Sequence, residues 1–514
     1  MSAEKFSLDN ILITFPADST GKQTYWTNRN AVEGVQIFGG IGSGKTSGSG
    51  RTLALKYLAA GFGGLVLTVK PQERQEWEKY CEIAGRLDDL VIISPDKENY
   101  FNFLEYESTA HKGAQATENL LQVLKTVIRS SEEKQGGKSE DPFWETAVDM
   151  LIANTIDLCQ LAFNKVTVAL LYELVLTIPN PYINSSEEDT RKTFEEAFSR
   201  VEDEIQKSTK NELYKLPEEV QELIHYSPNR ERMIEDRVPE YRIFNLVKHF
   251  FHRSYVKLPQ KTRSIIDFSF TGFLFGLMRD PVYSLFCVHP TTASVRPEQC
   301  YENGKIILID LPVKLHHKAG RDCQILYKYV WQRAMERRGE TKDADRPVFL
   351  WADEAQNFIH EHDADFQATA RSSKVATVYI SQNLPNYFGS MGGNKAEYKV
   401  KSFLGTLATK IFHANADIET NRYASDLIGE EERANYTASL GTDKDAASTS
   451  VSQVRKKIVP PEQFGLLKTG GKPNAGVVEG YMHIQGAKTN TGGNHICANF
   501  RQDYEPKSLK TELI

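Results

Sequence analysis

The octapeptide Gly39-Gly40-Ile41-Gly42-Ser43-Gly44-Lys45-Thr46 narrows the choice of folds more than any other feature of this 514-residue chain. It satisfies the G-x-x-x-x-G-K-[ST] pattern and follows the apolar run Val35-Gln36-Ile37-Phe38; beyond it, Leu53-Ala54-Leu55-Lys56-Tyr57-Leu58 has helical character. A phosphate loop needs that setting, a strand feeding a glycine-rich turn that opens a helix. Glycines let successive N–H groups curl around the β- and γ-phosphates, a lysine adds a point charge, and the hydroxyl after it faces Mg²⁺. Gly39, Gly40, Gly42, Ser43, Gly44, Lys45, Thr46 and Ser47 are therefore the expected nucleotide-binding set, with Thr46 also a metal ligand. A chance glycine-rich turn is the competing reading, and the flanking strand and helix weigh against it. Gly48 and Gly50 run on into the expected helix, where each costs about 1 kcal/mol relative to alanine; close packing or a partner's approach is the candidate reason.

A phosphate loop alone says only nucleotide. The second signal is Val348-Phe349-Leu350-Trp351-Ala352-Asp353-Glu354-Ala355-Gln356, an apolar strand ending in adjacent carboxylates, the form of a Walker B element. Asp353 is the expected metal ligand, and Glu354 is placed to orient and deprotonate an attacking water. An acidic helix N-terminus after a strand is the plainer alternative. Further on, Val375-Ala376-Thr377-Val378-Tyr379-Ile380 reads as another strand, ending at Ser381-Gln382-Asn383. Gln382 is a candidate γ-phosphate sensor or water-positioning group. The segment between these strands carries Arg371, the arginine-finger candidate toward a neighbouring subunit, with Lys374 as fallback and an ordinary surface arginine as the bland reading. Guanine recognition is not indicated, because Asn164-Lys165 lacks the following x-Asp.

Strand-like runs at Gly64–Val69, Val91–Ile93, Lys305–Asp310, Val348–Leu350 and Val375–Ile380 alternate with helical stretches, which argues for a parallel, helix-covered sheet. From about Glu105 to about Val295 the pattern changes to long amphipathic segments such as Ala114–Ile128 and Phe143–Leu161. An acidic, charge-dense run follows from Glu187 to Glu240, a solvated face or a docking surface for a basic partner. The fold expected is α/β: a RecA-like P-loop core (1–105 and 296–514) with a mainly parallel sheet and a large inserted all-helical domain (106–295). A mobile linker is expected over 441–458, which is rich in Ser, Thr, Asp and Ala at its start. The loop Gly389–Lys395, followed by Lys399 and Lys401, is a candidate basic pore loop. Lys248, His249, His252, Arg253, Lys257, Lys261 and Arg263 interleave with Phe250, Phe251 and Tyr255, a mixture suited to a nucleic-acid backbone or to an ordinary core edge.

Charge excludes little: 62 Lys+Arg against 68 Asp+Glu give net −6, so DNA contact must come from a local basic surface. The six cysteines include no CxxC pair, and neither His360-Glu361-His362 nor His316-His317 has metal-ligand spacing, so zinc and disulfides are not indicated. Tyr57–Val69, the best uncharged apolar stretch, is too short for a bilayer, which takes about 20 residues. A cytoplasmic protein with no direct membrane span is expected.

Together these residues resemble the cytosolic part of type IV secretion coupling proteins, the TraG/TraD family of the HerA/FtsK class. Beyond the phosphate loop and Trp351–Phe358, the resemblance rests on Phe101-Asn102-Phe103-Leu104, Asp141-Pro142-Phe143-Trp144-Glu145, Ile380-Ser381-Gln382-Asn383, Ser402-Phe403-Leu404-Gly405, Thr409-Lys410-Ile411-Phe412, Glu419-Thr420 and Leu427-Ile428-Gly429-Glu430. It implies a RecA-like domain with a helical domain, ATP and Mg²⁺ as cofactors, a homo-oligomeric ring, hexameric in that family, and hydrolysis at subunit interfaces that moves DNA through the pore. It carries roles onto Lys45, Thr46, Asp353, Glu354 and Gln382, and less directly onto Arg371. Two departures stand out. Family members have a transmembrane anchor before the loop, whereas 38 residues precede Gly39 here and none can span a membrane. The strand after the first helix ends Val69-Lys70-Pro71 where the family has an acidic residue before the lysine. The leading reading is a soluble, ATP-driven DNA translocase on single- or double-stranded DNA. The alternative is an ATP-gated assembly switch that docks a relaxase, a nuclease or another partner protein without translocation.

Overall fold

The computed structural model describes residues 5–17, 21, 23–110, 114–134, 142–180, 192–288, 295–338, 346–360, 362–391, 396–440, 447–489 and 491–504. They form two compact units, one of Met1–Ile92, Pro297–His317 and Trp331–Ile514, the other of Ile93–Arg296 and Lys318–Val330.

The first unit opens with an antiparallel pair, β1 (Ile11–Thr14) and β2 (Tyr25–Thr27). Its centre is a nine-stranded sheet. In chain order the strands are β3 (Val35–Phe38), β4 (Gly63–Leu67), β5 (Leu90–Ile93), β6 (Ile306–Ile309), β7 (Val348–Ala352), β8 (Val375–Ser381) and β9 (Thr409–Phe412). A ribbon of β10 (Glu430–Leu440) and β11 (Ala447–Lys457) intervenes before β12 (Val477–Ile484) and β13 (His495–Arg501) complete the sheet. The spatial order is β13-β12-β9-β3-β8-β7-β4-β6-β5. Strands β9, β3, β8, β7, β4 and β6 run parallel, while β12 and β13 are added antiparallel at one side. The α/β fold class expected from the sequence is the one observed.

Burial explains the composition of the strands. Every residue of β3, β4, β6, β7 and β8 is buried, because helices cover both faces of a parallel sheet, and such strands read as continuous apolar runs. In β13 buried and exposed residues alternate, as an antiparallel edge with one wet face requires. Aromatic rings fill the layer beside β7: Trp77 packs 5.5 Å from Phe349 and 5.4 Å from Trp351, centroid to centroid, and Tyr57 stacks 6.0 Å from Phe349. The topological fact that matters for chemistry is that β8 lies between β3 and β7. Whatever follows β8 therefore sits between the phosphate loop after β3 and the carboxylates after β7.

The second unit's main elements are helices, among them Ala114–Lys134, Pro142–Phe163, Thr193–Tyr214, Glu218–Tyr226, Pro239–His249 and Gln260–Leu277. Helix Phe143–Phe163 is, among the described residues, the one long and apolar enough to cross a membrane, a segment outside the Tyr57–Val69 stretch singled out above. Its Leu151, Ile152, Ile156, Leu158 and Cys159 are buried, and its Asp157 accepts a 2.6 Å hydrogen bond from Thr117 of the neighbouring helix.

Two expectations need correction. Residues 447–457 are not a linker: they form β11, paired residue by residue with β10 from Glu430↔Lys457 to Leu440↔Ala447. Polar β-formers of a two-stranded ribbon lack the apolar alternation that marks half-buried strands, and so read as a linker; residues 441–446 lie outside the described residues. The proposed pore loop is helical as far as Met391 in Leu384–Met391, and Lys399 and Lys401 sit on Ala396–Gly405, with 392–395 outside the described residues. In the basic–aromatic run, Phe250, Phe251 and Tyr255 are core, and Arg263 is buried with its guanidinium 4.8 Å over the Tyr255 ring and Nη2 donating to the Ile178 carbonyl. Asp141 and the start of the acidic run, 187–191, lie outside the described residues.

Candidate active site

The loop after β3 is tied to both neighbouring strands. Gly39 N–H donates to the Ser381 carbonyl at the end of β8 (3.3 Å), and Gly40 N–H donates to the Ala414 carbonyl after β9 (2.8 Å). Gly42 (φ 72°) and Gly44 (φ 79°) take the left-handed backbone that other residues adopt only with strain. Lys45 is 8% exposed. Residues 42–47 line a cleft of ≈ 220 Å³ together with Glu76 and Tyr80, which share one face of the helix Glu73–Ile83.

The turn that follows, Thr46–Gly50, is a π-helical turn before the regular helix Arg51–Ala59. A β-carbon on Gly48 would lie 2.9 Å from Cβ of Val478 on β12. Close packing is thus the reason for this glycine. Behind the turn, His413 is fully enclosed: its Nδ1 is 2.8 Å from the Glu479 carbonyl and its Nε2 is 2.7 Å from Ser49 Oγ. A carbonyl can only accept, so Nδ1 carries the proton and Nε2 accepts from the serine. Burial holds the imidazole pKa down to about 4, with Lys45 adding to the shift against the pull of the Glu479 hydrogen bond.

The carboxylates meet the loop across the sheet. Thr46 Oγ1 donates to Asp353 Oδ2 at 3.0 Å, a hydroxyl and a carboxylate side by side, the hard oxygen donors that suit Mg²⁺. Glu354 adopts φ 48°, ψ 48°, a strained region for a residue with a side chain. It is held there by its N–H donating to Asp353 Oδ1 (2.8 Å) and by Asn357 Nδ2 donating to its carbonyl (2.9 Å). Its own carboxylate accepts from Gln356 Nε2 (2.9 Å) and from Gln382 Nε2 (3.3 and 3.4 Å). Gln356 is in turn fixed by Ser381 Oγ (3.0 Å), and the Gln382 carbonyl by Asn415 Nδ2 (2.8 Å). Burial pushes the Glu354 pKa up, but the Gln356 hydrogen bond, Lys45, Lys70 and Gln382 outweigh it and leave the carboxyl below its ordinary value. At neutral pH Glu354 is an ionised acceptor in a dry setting.

Lys70, singled out above without a role, enters from the end of β4. Its Nζ lies 3.6 Å from Asp353 Oδ2, 3.6 Å from Glu354 Oε1 and 4.0 Å from Glu73 Oε1. Burial acts to lower the lysine pKa, and the three carboxylates more than reverse it. Burial, then the charge of Asp353, pushes Glu73 up to about 8, against the backbone N–H groups that bind it. With Glu73 protonated at neutral pH, the ammonium is matched by Asp353 and Glu354, which are also its nearer neighbours.

The structure thus brings Lys45, Thr46, Asp353, Glu354 and Gln382 to one place. Arg371 is elsewhere: it precedes the opposite end of β8, is 54% exposed, and pairs with Glu33 at 3.3 Å. The seven residues of β8 at ~3.3 Å each put it beyond reach of this chain's own loop. Gln356, Asn415, Glu73, Glu76 and Tyr80 were not anticipated. Gln356 had a local signal, two residues after the catalytic-type glutamate, whereas the others are gathered by strand order.

The family profile described as the TraM recognition site of TraD and TraG matches residues 347–469, from the start of β7 to past the β10–β11 ribbon. No curated protein sequence matches the chain. Among solved structures, the unbound bacterial conjugative coupling protein TrwBdeltaN70 is similar with a TM-score of 0.58 and 12% identity over 95% of this chain and 90% of that one. TrwB in complex with ADP and Mg²⁺ is similar with a TM-score of 0.57 and 13% identity over the same shares. TrwB with the non-hydrolysable ATP analogue ADPNP gives 0.54 and 13% over 97% and 92%. At such identities the likeness is one of fold, and it spans nearly the whole of both chains.

Proposed function

We propose that this chain, which resembles the TraG/TraD type of coupling protein, is a Mg²⁺-dependent ATPase that couples hydrolysis at subunit interfaces of a ring, hexameric as the resemblance implies, to movement of DNA. The observation that carries the reading is the convergence of Thr46, Asp353 and Gln382-clamped Glu354 on one loop from three strands of the sheet. The structures of TrwB with ADP and Mg²⁺ and with an ATP analogue support the choice of ligand.

In this reading the loop residues 39–47 bind the phosphates, and Lys45 adds its charge to the β- and γ-groups. Thr46 and Asp353 would hold the metal, which would neutralise charge on the phosphate oxygens. Glu354, ionised and held at a fixed angle by Gln356 and Gln382, accepts the proton of the attacking water. Gln382 touches both Glu354 and, through its backbone, the loop after β9, so it is positioned to report the γ-phosphate. Arg371 acts on a neighbour's nucleotide, since its own is out of range. The ring works in the cytoplasm and takes a relaxase or nuclease as protein partner.

Steady-state ATP hydrolysis with and without single- and double-stranded DNA, beside Glu354→Gln, tests this. Stimulation by one form of DNA and a loss of about 10²–10⁴-fold in the variant, with nucleotide binding retained, is the expected result. A second reading, the ATP-gated switch, is favoured by the exposed acidic helices Thr193–Tyr214 and Glu218–Tyr226, which also expose Tyr214, Leu223 and Tyr226. A low hydrolysis rate that DNA leaves unchanged, in protein that binds ATP, would select the switch.

A further inference from the structure

We propose that Lys70 is a tethered counter-ion of the metal-binding carboxylates, so that its ammonium and a divalent cation compete for Asp353 and the metal is accepted together with nucleotide phosphates. The inference deepens the nucleotide reading above and rests on it.

The lysine is aimed by its backbone. Val69 N–H donates to Glu73 Oε2 (2.7 Å), the Val69 carbonyl accepts from Lys314 N–H (3.0 Å), and the Lys70 carbonyl accepts from Glu73 N–H (3.2 Å). Pro71 fixes the next φ. The side chain that leaves this turn is 26% exposed, so the ammonium has surrendered much of its water and depends on nearby carboxylates. It finds two, Asp353 and Glu354, each at 3.6 Å.

The oxygen it approaches on Asp353 is Oδ2, the same atom that accepts the Thr46 hydroxyl at 3.0 Å. A metal held by Thr46 and Asp353 must draw on that oxygen. It then stands within a few ångströms of a positive charge, in a setting where charges are poorly screened. A hard divalent ion with one protein carboxylate and an adjacent ammonium is a weak complex. ATP changes the balance because its phosphates, gathered by Lys45 and the loop, supply the negative charge that both cations need. The flexible four-carbon stem lets Lys70 turn from the carboxylates toward them. The same move takes the ammonium off Glu354 Oε1, leaving Gln356 and Gln382 to hold the carboxylate. Lys70 is accordingly a positioning residue that ties the release of Glu354 to the arrival of metal and nucleotide together.

The test is Mn²⁺ binding, followed by electron paramagnetic resonance on the full chain without nucleotide, for wild type, Lys70→Met and Lys70→Arg. Weak binding by wild type and Lys70→Arg, and binding tighter by about tenfold or more in Lys70→Met, with the difference shrinking when ADP is added, is expected. Unchanged Mn²⁺ affinity in Lys70→Met overturns the proposal. A measurement on unaltered protein covers the case in which that variant fails to fold. Mn²⁺ alone should shift the melting temperature far less than Mn²⁺ with ADP, and an equal shift overturns the proposal. Failure of the wild type to bind ADP would overturn the nucleotide reading and this inference together. ADP binding with unchanged Mn²⁺ affinity overturns this inference alone.

Discussion

In the sheet unit, Lys45, Lys70, Asp353 and Glu354 converge at the ends of three strands with little water around them; Lys70, Asp353 and Glu354 are each held by a named partner, and Lys45 acts on Glu354 through its charge. In the helical unit the arrangement is reversed: Lys248, His249, His252, Arg253 and Lys257 face solvent while Phe250, Phe251 and Tyr255 turn inward. Both stretches look charged in the sequence. The difference lies in what surrounds the charge. Burying an ionised group costs several kcal/mol unless partners offset it, so a buried cluster marks a place where the fold sustains charge for chemistry. Exposed lysines beside buried aromatics mark only the outer edge of a core.

Replacing Phe251 is the strongest way to break this contrast. The ring is 2% exposed and meets Phe194, Phe198, Phe250 and Tyr255. Phe251→Ala is expected to destabilise the helical unit by about 3–5 kcal/mol, read as faster amide exchange across the helices Thr193–Tyr214 and Pro239–His249. Arg253→Ala, a neighbour in sequence that faces solvent, should change protection by no more than about 0.5 kcal/mol. A larger effect from Arg253 than from Phe251 would make the run a charge-dependent surface and sink its assignment as core.

The comparison also marks how far the sequence could be read. Strands β3, β4, β6, β7 and β8 are buried on both faces, so they stand out as apolar runs, and the loop after β3 is written in adjacent residues. Strand β13 alternates buried and exposed positions and β12 alternates half-buried and buried ones before its buried end, so neither stands out as an apolar run in the sequence. The β10–β11 ribbon, with Ser and Thr along β11, reads as a linker because its pairing, Glu430↔Lys457 onward, is a long-range fact. The same limit applies at the site. Lys45, Asp353 and Glu354 announce themselves through spacing, but Lys70 reaches Asp353 because β4 is the neighbour of β7. Asn415 holds Gln382 because β9 and β8 flank β3. Strand order of this kind is absent from local pattern. For Arg371, the arginine-finger candidate toward a neighbouring subunit, the fold places the side chain at the far end of β8 on Glu33, away from this chain's own loop.

A pH titration sharpens the contrast within the sheet unit itself. His413 has a folded pKa of about 4, below the ordinary imidazole value, because it is buried. The unfolded chain takes up a proton near pH 6.5 while the folded chain resists until about 4. Stability from this group is therefore complete above pH 6.5 and is lost as pH falls through that window, a loss of about 3 kcal/mol at its lower end. His413→Gln, which keeps a polar side chain near Ser49, should lower stability at pH 7.5 yet flatten the acid limb between 6.5 and 4. The midpoint of urea unfolding at several pH values measures this. An unchanged acid limb would mean that other groups dominate it.

The smallest expected effect concerns the turn that carries Ser47 and Gly48. Alanine is the better helix former by about 1 kcal/mol, so propensity alone predicts that Gly48→Ala stabilises the protein. Packing predicts the opposite: the new methyl would stand 2.9 Å from Val478 Cβ, and Val478 is fully buried near the start of β12, paired with Phe500 of β13. Overpacking of a rigid neighbour costs about 1–3 kcal/mol, which should win by a small margin. At Gly50 the nearest atoms to an added methyl are Lys45 O at 3.1 Å and Cδ1 of Ile380 at 3.4 Å, a lighter contact. Gly48→Ala is thus expected to lower the melting temperature more than Gly50→Ala. It should also weaken ADP binding, because the turn can relieve the contact only by carrying Thr46 and Ser47 away from the cleft. If Gly48→Ala proves stabilising, β12 yields more readily than its burial implies, and the π-helical turn owes its glycine to something other than Val478.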